Sequence, residues 1–342
     1  MKLLIRADAN NFIATGHVMR CISIAQAAID EGHEVKFITA DLDAKSLLDK
    51  YNMQYICLQT KWNEMDGEIE QISNVVAAEK PDCILVDSYY VTQKYLSHLR
   101  SLCKVAYVDD LNKFIYPCDM LICYANHYRK FDYESRYTSD TKLVLGPLYA
   151  PLRPIFSKLE HAERQNLKKN ILVMSGGADE YHLIADFLHE YTNNLDQFKN
   201  VTITAICGVY NKDYVDLVEM YSGNPDIKLL KSVDNIEKYM LEANIAVSAG
   251  GSTLFELCAC GTPTVCYALA DNQLDNVASF AADEVMIYAG DIRGEGTLCK
   301  ITSSVAELLT QDCKRMAMID KMKGLVDGDG ARRIVREIGK II

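Results

Sequence analysis

The 342-residue chain predicts an α/β protein with two parallel-sheet domains. Three observations point there. Short apolar runs alternate with segments of helical period, the alternation breaks at a proline-rich passage near residue 150, and it then resumes. The length also exceeds what one core ordinarily serves and fits two domains of about 150 to 180 residues each.

In chain order, Lys2 to Ala7 reads as the first strand, and the helix after it shows Val18, Cys21, Ile22, Ala25 and Ile29 along one face. Val35 to Thr39, Tyr55 to Leu58, Cys83 to Val86, Val105 to Val108 and Met120 to Cys123 are further short apolar runs. Helical patterns fall between them, which implies parallel pairing. Gly146 to Phe156, GPLYAPLRPIF, brings three prolines together, and a charged stretch follows to Lys169. A domain boundary fits there, giving residues 1–150 and 151–325. The second alternation runs through Ile171 to Met174, Val201 to Ile206, Ile227 to Leu230, Ile245 to Ser248 and Thr264 to Tyr267. No motif recurs at a fixed period, so the halves are not a sequence repeat. Asp327 to Ile338, DGDGARRIVREI, has helical spacing, and residues 326–342 are a segment that tandem α/β architectures can send back to the first domain.

Composition removes several function classes. A formal net charge of -11 argues against a nucleic-acid binder, yet leaves room for a diphosphate held by backbone N–H groups at a helix end. No stretch approaches the ~20 apolar residues of a membrane-spanning helix, and no basic, signal-like segment opens the chain. A cytoplasmic protein without a membrane partner is therefore expected. The twelve cysteines lie mostly inside apolar runs, as with Cys57, Cys83, Cys103, Cys207 and Cys266, where they pack as small hydrophobes. Cys258 with Cys260, and Cys118 with Cys123, lack a second matching pair, so no metal is expected.

Asp8 to Cys21, DANNFIATGHVMRC, places His17 where a polar loop leaves the first strand and opens a helix. Thr15 and Gly16 offer a cap and a tight backbone, which would set the imidazole in the first turn near the carboxyl edge of the sheet. A helix N-terminus disfavours imidazolium, which suits a proton acceptor. A capping histidine with no reaction to run fits the same position. Asp87, Ser88 and Tyr89 end one strand while Asp109 and Asp110 end the next, so three carboxylates gather near that loop. Any of them could orient an imidazole, and at least one of Asp109 and Asp110 fits a capping role. Tyr89 and Tyr90 suit stacking on a sugar or a half-buried loop.

In the second domain, Ser248 to Glu256, SAGGSTLFE, ends a strand in Gly250 and Gly251 and opens a helix at Ser252 and Thr253. Free N–H groups there would take an anion, and Glu256, about one turn on, could accept from vicinal ribose hydroxyls. A plain strand-to-helix turn needing positive φ explains the glycines equally. Gly176 and Gly177, in SGGAD, form another glycine pair after a strand, which favours a phosphate pocket. Asp271, Asn272 and Gln273, in ADNQ, follow yet another strand, either as sugar-side or base-side amides or as an ordinary cap.

Taken together, ADANNFIATGHVMRC, VDSYY, VDD, LGPLYAPLRPIF, SGGADE, SAGGSTLFELCACGTP, ALADNQ and DGDGARR resemble the UDP-2,4-diacetamido-2,4,6-trideoxy-β-L-altropyranose hydrolase (PseG) family. The glycine-rich part near residue 250 is shared with the wider glycosyltransferases similar to MurG. The resemblance implies a GT-B fold, two Rossmann-like domains with parallel sheets facing across a cleft, in a hydrolase of pseudaminic acid biosynthesis. Its implied reaction is inverting attack of water at the anomeric carbon with release of UDP, without metal or cofactor. It implies that His17 is catalytic. It maps a nucleotide-binding segment onto Gly250 to Glu256 and a sugar-side amide onto Asn272; the full candidate substrate-binding set is Asp8, Gly16, Arg20, Tyr89, Gly176, Gly177, Gly250, Gly251, Ser252, Thr253, Glu256, Asn272 and Gln273. Ala14 stands where the family loop usually has its first glycine, and SGGADE lacks the family's Ser-Asp-Pro ending. A MurG-like or spore-coat glycosyltransferase and a non-catalytic nucleotide-sugar binder are the competing readings.

Overall fold

The computed structural model describes residues 1–160 and 168–342. Part of the charged stretch at the expected boundary, residues 161–167, lies outside the described residues. The chain divides into one unit of Met1–Ser157 with Gly328–Ile342 and a second of Lys158–Asp327. The division falls at Ser157, a few residues beyond the position expected from the proline-rich passage.

The first unit holds a seven-stranded, all-parallel sheet. Its strands are β1 (Lys2–Ala7), β2 (Glu34–Thr39), β3 (Tyr55–Cys57), β4 (Cys83–Asp87), β5 (Lys104–Val108), β6 (Met120–Cys123) and β7 (Lys142–Leu145). They lie in the order β3-β2-β1-β4-β5-β6-β7. The order reverses between β1 and β4, which leaves a crevice at the carboxyl ends of those two strands. Both are sandwiched between helices, and their apolar residues are continuous rather than alternating for that reason.

The second unit repeats this logic with β8 (Lys169–Met174), β9 (Val201–Cys207), β10 (Ile227–Lys231), β11 (Ile245–Ala249), β12 (Thr264–Ala268) and β13 (Ile287–Asp291). Their order is β10-β9-β8-β11-β12-β13, with the reversal between β8 and β11. Strands β7 and β13 add to the runs expected from the sequence. Each is an edge strand: β7 begins on a lysine, and β13 carries Gly290 at φ +124° opposite a register shift in β12. Neither offers a buried apolar run to detect.

Four helices carry or support the candidate site residues: α1 (Gly16–Asp30), α2 (Thr253–Ala259), α3 (Asp271–Ala282) and α4 (Gly330–Ile338). Helix α1 buries Val18, Cys21, Ile22, Ile24, Ala25 and Ala28. Ile29, expected on that face, is 46% exposed because the helix ends one residue later. Helix α4 turns Ala331, Ile334, Val335 and Ile338 into the same core as α1, at the i, i+3, i+4, i+7 spacing of an amphipathic helix. That packing places the end of the chain in the first unit.

Candidate active site

At the β1/β4 reversal, the side chains expected near His17 form a connected network. His17, 5% exposed in the first turn of α1, sets Nδ1 2.6 Å from Asp87 Oδ1 at the end of β4. Two acceptors cannot sit that close, so Nδ1 carries the proton and donates it. In the neutral ring the bare nitrogen is then Nε2. Arg20, one turn along α1, donates Nε to Asp87 Oδ2 at 2.5 Å and Nη2 to Asp87 Oδ1 at 2.6 Å. Its Nη1 donates to Asp110 Oδ2 and to the Tyr124 hydroxyl, both at 2.7 Å. Burial alone would raise the Asp87 carboxyl. The charges of Arg20 and His17, with their hydrogen bonds, outweigh it and hold Asp87 well below the usual carboxylate range. Asp87 is therefore an anion that fixes the imidazole.

Two residues expected to touch substrate have internal partners. Arg20 spends four of its N–H groups on Asp87, Asp110 and Tyr124, so it acts as a brace for the acidic pair. Asp8 is 4% exposed, with Oδ2 on Arg6 Nη1 and Oδ1 on the Ala40 N–H. Arg6, fully buried, also holds both Glu68 oxygens at 2.8 Å, and Tyr95 donates to the same carboxylate. Asp8 thus belongs to a closed internal cluster. Its burial raises its carboxyl despite the Arg6 charge. Of the paired aspartates after β5, Asp109 caps the turn through the Leu111 and Asn112 N–H groups, while Asp110 joins the Arg20 network. Tyr89 stands edge-on to the His17 ring at 4.4 Å between centroids and donates to Asp110 at 3.2 Å. Burial, with Asp110 beside it, pushes that phenol up, so the hydroxyl stays protonated.

The loop that delivers His17 is built differently from the sequence expectation. Asn10 Oδ1 accepts the N–H groups of Phe12 and Ile13, and Thr15 makes no side-chain cap. Gly16 is exposed, and a side chain there would meet nothing within 4 Å. The left-handed residue is Ala14, at φ +55°. A Cβ in that region costs roughly 1–2 kcal/mol, part of which a glycine gives back as unfolded-chain entropy. Ala14→Gly should accordingly stabilise the chain by about 0.5–1 kcal/mol, read as a raised melting temperature. An unchanged or lower value would contradict the strain.

In the second unit, both glycine turns lie at the β8/β11 reversal. Gly176, at φ +67°, and Gly177 follow β8, and Gly250 and Gly251 follow β11. Gly250 is not left-handed, which corrects the positive-φ explanation. It is a glycine because α3 crosses close by, where an added Cβ would stand 2.4 Å from Val277 Cγ1. Gly208 is a glycine for a comparable reason. A Cβ there would strike the Gly177 carbonyl oxygen at 2.2 Å, so it seats the Gly176–Gly177 turn. A lone glycine ending a strand carries no sequence signal of such an approach.

Ser252 precedes α2 without a side-chain cap, Thr253 begins the helix, and Glu256 is half-buried in its first turn. Asn272 is exposed in the first turn of α3. Gln273 is half-buried, and its Oε1 accepts the Leu269 N–H at 2.9 Å, which ties that oxygen to the end of β12. In SGGAD, Asp179 turns inward to accept the Leu183 and Ile184 N–H groups, a capping role.

Two Rossmann-like parallel-sheet units in tandem define the class: the chain has the GT-B fold of MurG-type glycosyltransferases. MurG of Acinetobacter baumannii superposes with a TM-score of 0.72 at 14% identity, covering 99% of each chain. The Staphylococcus aureus MnaA–UDP co-structure gives 0.67 at 13% identity, covering 100% of this chain and 98% of that one. Residues 170–334 match the model of the glycosyltransferase family 28 C-terminal domain. Among curated proteins, the uncharacterized protein MJ1062 of Methanocaldococcus jannaschii is 26% identical over 80% of this chain, which spans 56% of that protein. The spore coat polysaccharide biosynthesis protein SpsG of Bacillus subtilis is 23% identical over 98% of this chain and 96% of its own length. Among the described residues, no helix is long and apolar enough to cross a membrane.

Proposed function

We propose that the chain is a nucleotide-sugar enzyme that hydrolyses a UDP-linked 2,4-diacetamido-2,4,6-trideoxyhexose of altro configuration, a step of pseudaminic acid biosynthesis. Water attacks the anomeric carbon with inversion, and UDP leaves. The observation that carries this reading is the His17–Asp87 pair, which makes a neutral His17 an acceptor through Nε2. His17 is assigned as general base, with Asp87 and Arg20 as its positioning groups. Nucleotide binding is assigned to Gly176, Gly177, Gly250, Gly251, Ser252, Thr253 and Glu256, and sugar contact to Asn272. Support for these assignments comes from the two glycine turns at one sheet reversal and from the family 28 match over residues 170–334. UDP is a good leaving group, so a strong general acid is not required.

The test is incubation with a panel of UDP-diacetamido-trideoxyhexoses, without any acceptor, in heavy-oxygen water. Free UDP should appear selectively from the altro isomer, with the heavy oxygen on the sugar. Label on UDP would mean attack at phosphorus, and indifference to configuration would remove the assigned substrate. A glycosyltransferase is the second reading, favoured by the similarity to SpsG over nearly the whole chain. It predicts that UDP appears only when an acceptor hydroxyl is supplied.

A further inference from the structure

Asn276, on α3, is 8% exposed and donates Nδ2 to the Gly250 carbonyl at 3.0 Å. Its Oδ1 has no hydrogen-bond partner among the described residues. A buried acceptor left unpaired costs stability, so the donor half of this amide calls for a reason. The peptide joining Gly250 to Gly251 is planar and trans, so a carbonyl held toward α3 turns the Gly251 N–H the opposite way. The turn is open at this residue, since a Cβ added to Gly251 would meet nothing within 4 Å. A peptide between two glycines also flips with little steric resistance, because both tolerate either sign of φ. Something must hold it.

We infer that Asn276 is a positioning residue that locks the Gly250–Gly251 peptide so that the Gly251 N–H faces the diphosphate of the bound nucleotide. The inference rests on the proposed nucleotide role of this turn. Removing the amide frees the flip, and each flipped molecule presents a carbonyl oxygen to the phosphates in place of a donor. A carboxylate at position 276 goes further, repelling the Gly250 carbonyl and drawing the Gly251 N–H toward itself.

UDP is the probe, titrated calorimetrically into the full chain. Wild-type chain that fails to bind UDP overturns the functional reading and this inference together. Given wild-type binding, Asn276→Ala should weaken UDP at least about tenfold. Asn276→Asp should weaken it more in mildly alkaline buffer and recover, relative to wild type at the same pH, as acidification protonates the carboxyl and restores a donor to Gly250. A packing defect gives no such recovery. Wild-type affinity in Asn276→Ala, or a loss in Asn276→Asp that persists in acid, overturns the positioning role and leaves the functional reading intact.

Discussion

His17→Ala should release UDP from the nucleotide sugar about 10²- to 10⁴-fold more slowly than wild type, with UDP affinity unchanged. The range corresponds to about 3–5.5 kcal/mol of transition-state stabilisation, the usual worth of a positioned general base. The ring contributes through one acceptor nitrogen, and truncation leaves the Asp87–Arg20 pair in place. The loss should therefore fall on kcat. Near-normal turnover would remove His17 from the chemistry, and lost UDP binding would assign it to the nucleotide instead.

Asp87→Asn should cost both stability and rate. Asp87 is 1% exposed and accepts from His17 and twice from Arg20. Breaking a buried ion pair by neutralising one partner costs about 3–5 kcal/mol, and the lower end applies because Asp110 still faces Arg20. An amide can also donate to Nδ1, which would place the ring proton on Nε2 and remove the acceptor. Turnover should drop about 10²- to 10⁴-fold for that reason. The pH dependence has a definite sign. The folded Asp87 carboxyl titrates below its unfolded value, near 3.9, so its stabilisation is fully present above that value and is lost as pH falls through the folded one. The variant should lack this acid-labile component. Thermal melts across acidic pH check it, and equal acid sensitivity in variant and wild type would contradict the assignment.

Much of the fold was legible in the residues, for identifiable reasons. Buried parallel strands show as short apolar runs such as Leu3 to Ile5 and Ile245 to Val247, and in the second unit glycine turns follow β8 and β11. Strands β7 and β13 do not: β7 is four residues long and opens on Lys142, and β13 is broken by Gly290. His17 was visible from its place between a strand and a helix. Its partner was visible only as one of three aspartates, since choosing among them requires the strand order that puts β4 beside β1. Asp8 and Arg20 carry the signal of ligand contacts because a polar residue near a sheet end looks the same whether it faces a ligand or an internal partner. Arg6 and Glu68 lie 62 residues apart, and no local pattern joins them. Gly208 and Asn276 act through what approaches them from elsewhere in the second unit, a property of packing rather than of spacing.

The proposed chemistry depends most heavily on which imidazole nitrogen of His17 holds the proton. Nitrogen-15 NMR of ring-labelled chain in mildly alkaline buffer reads this directly. A protonated Nδ1 bonded to Asp87 and a bare, pyridine-like Nε2 are expected. A proton on Nε2, with Nδ1 bare, would contradict the general-base role.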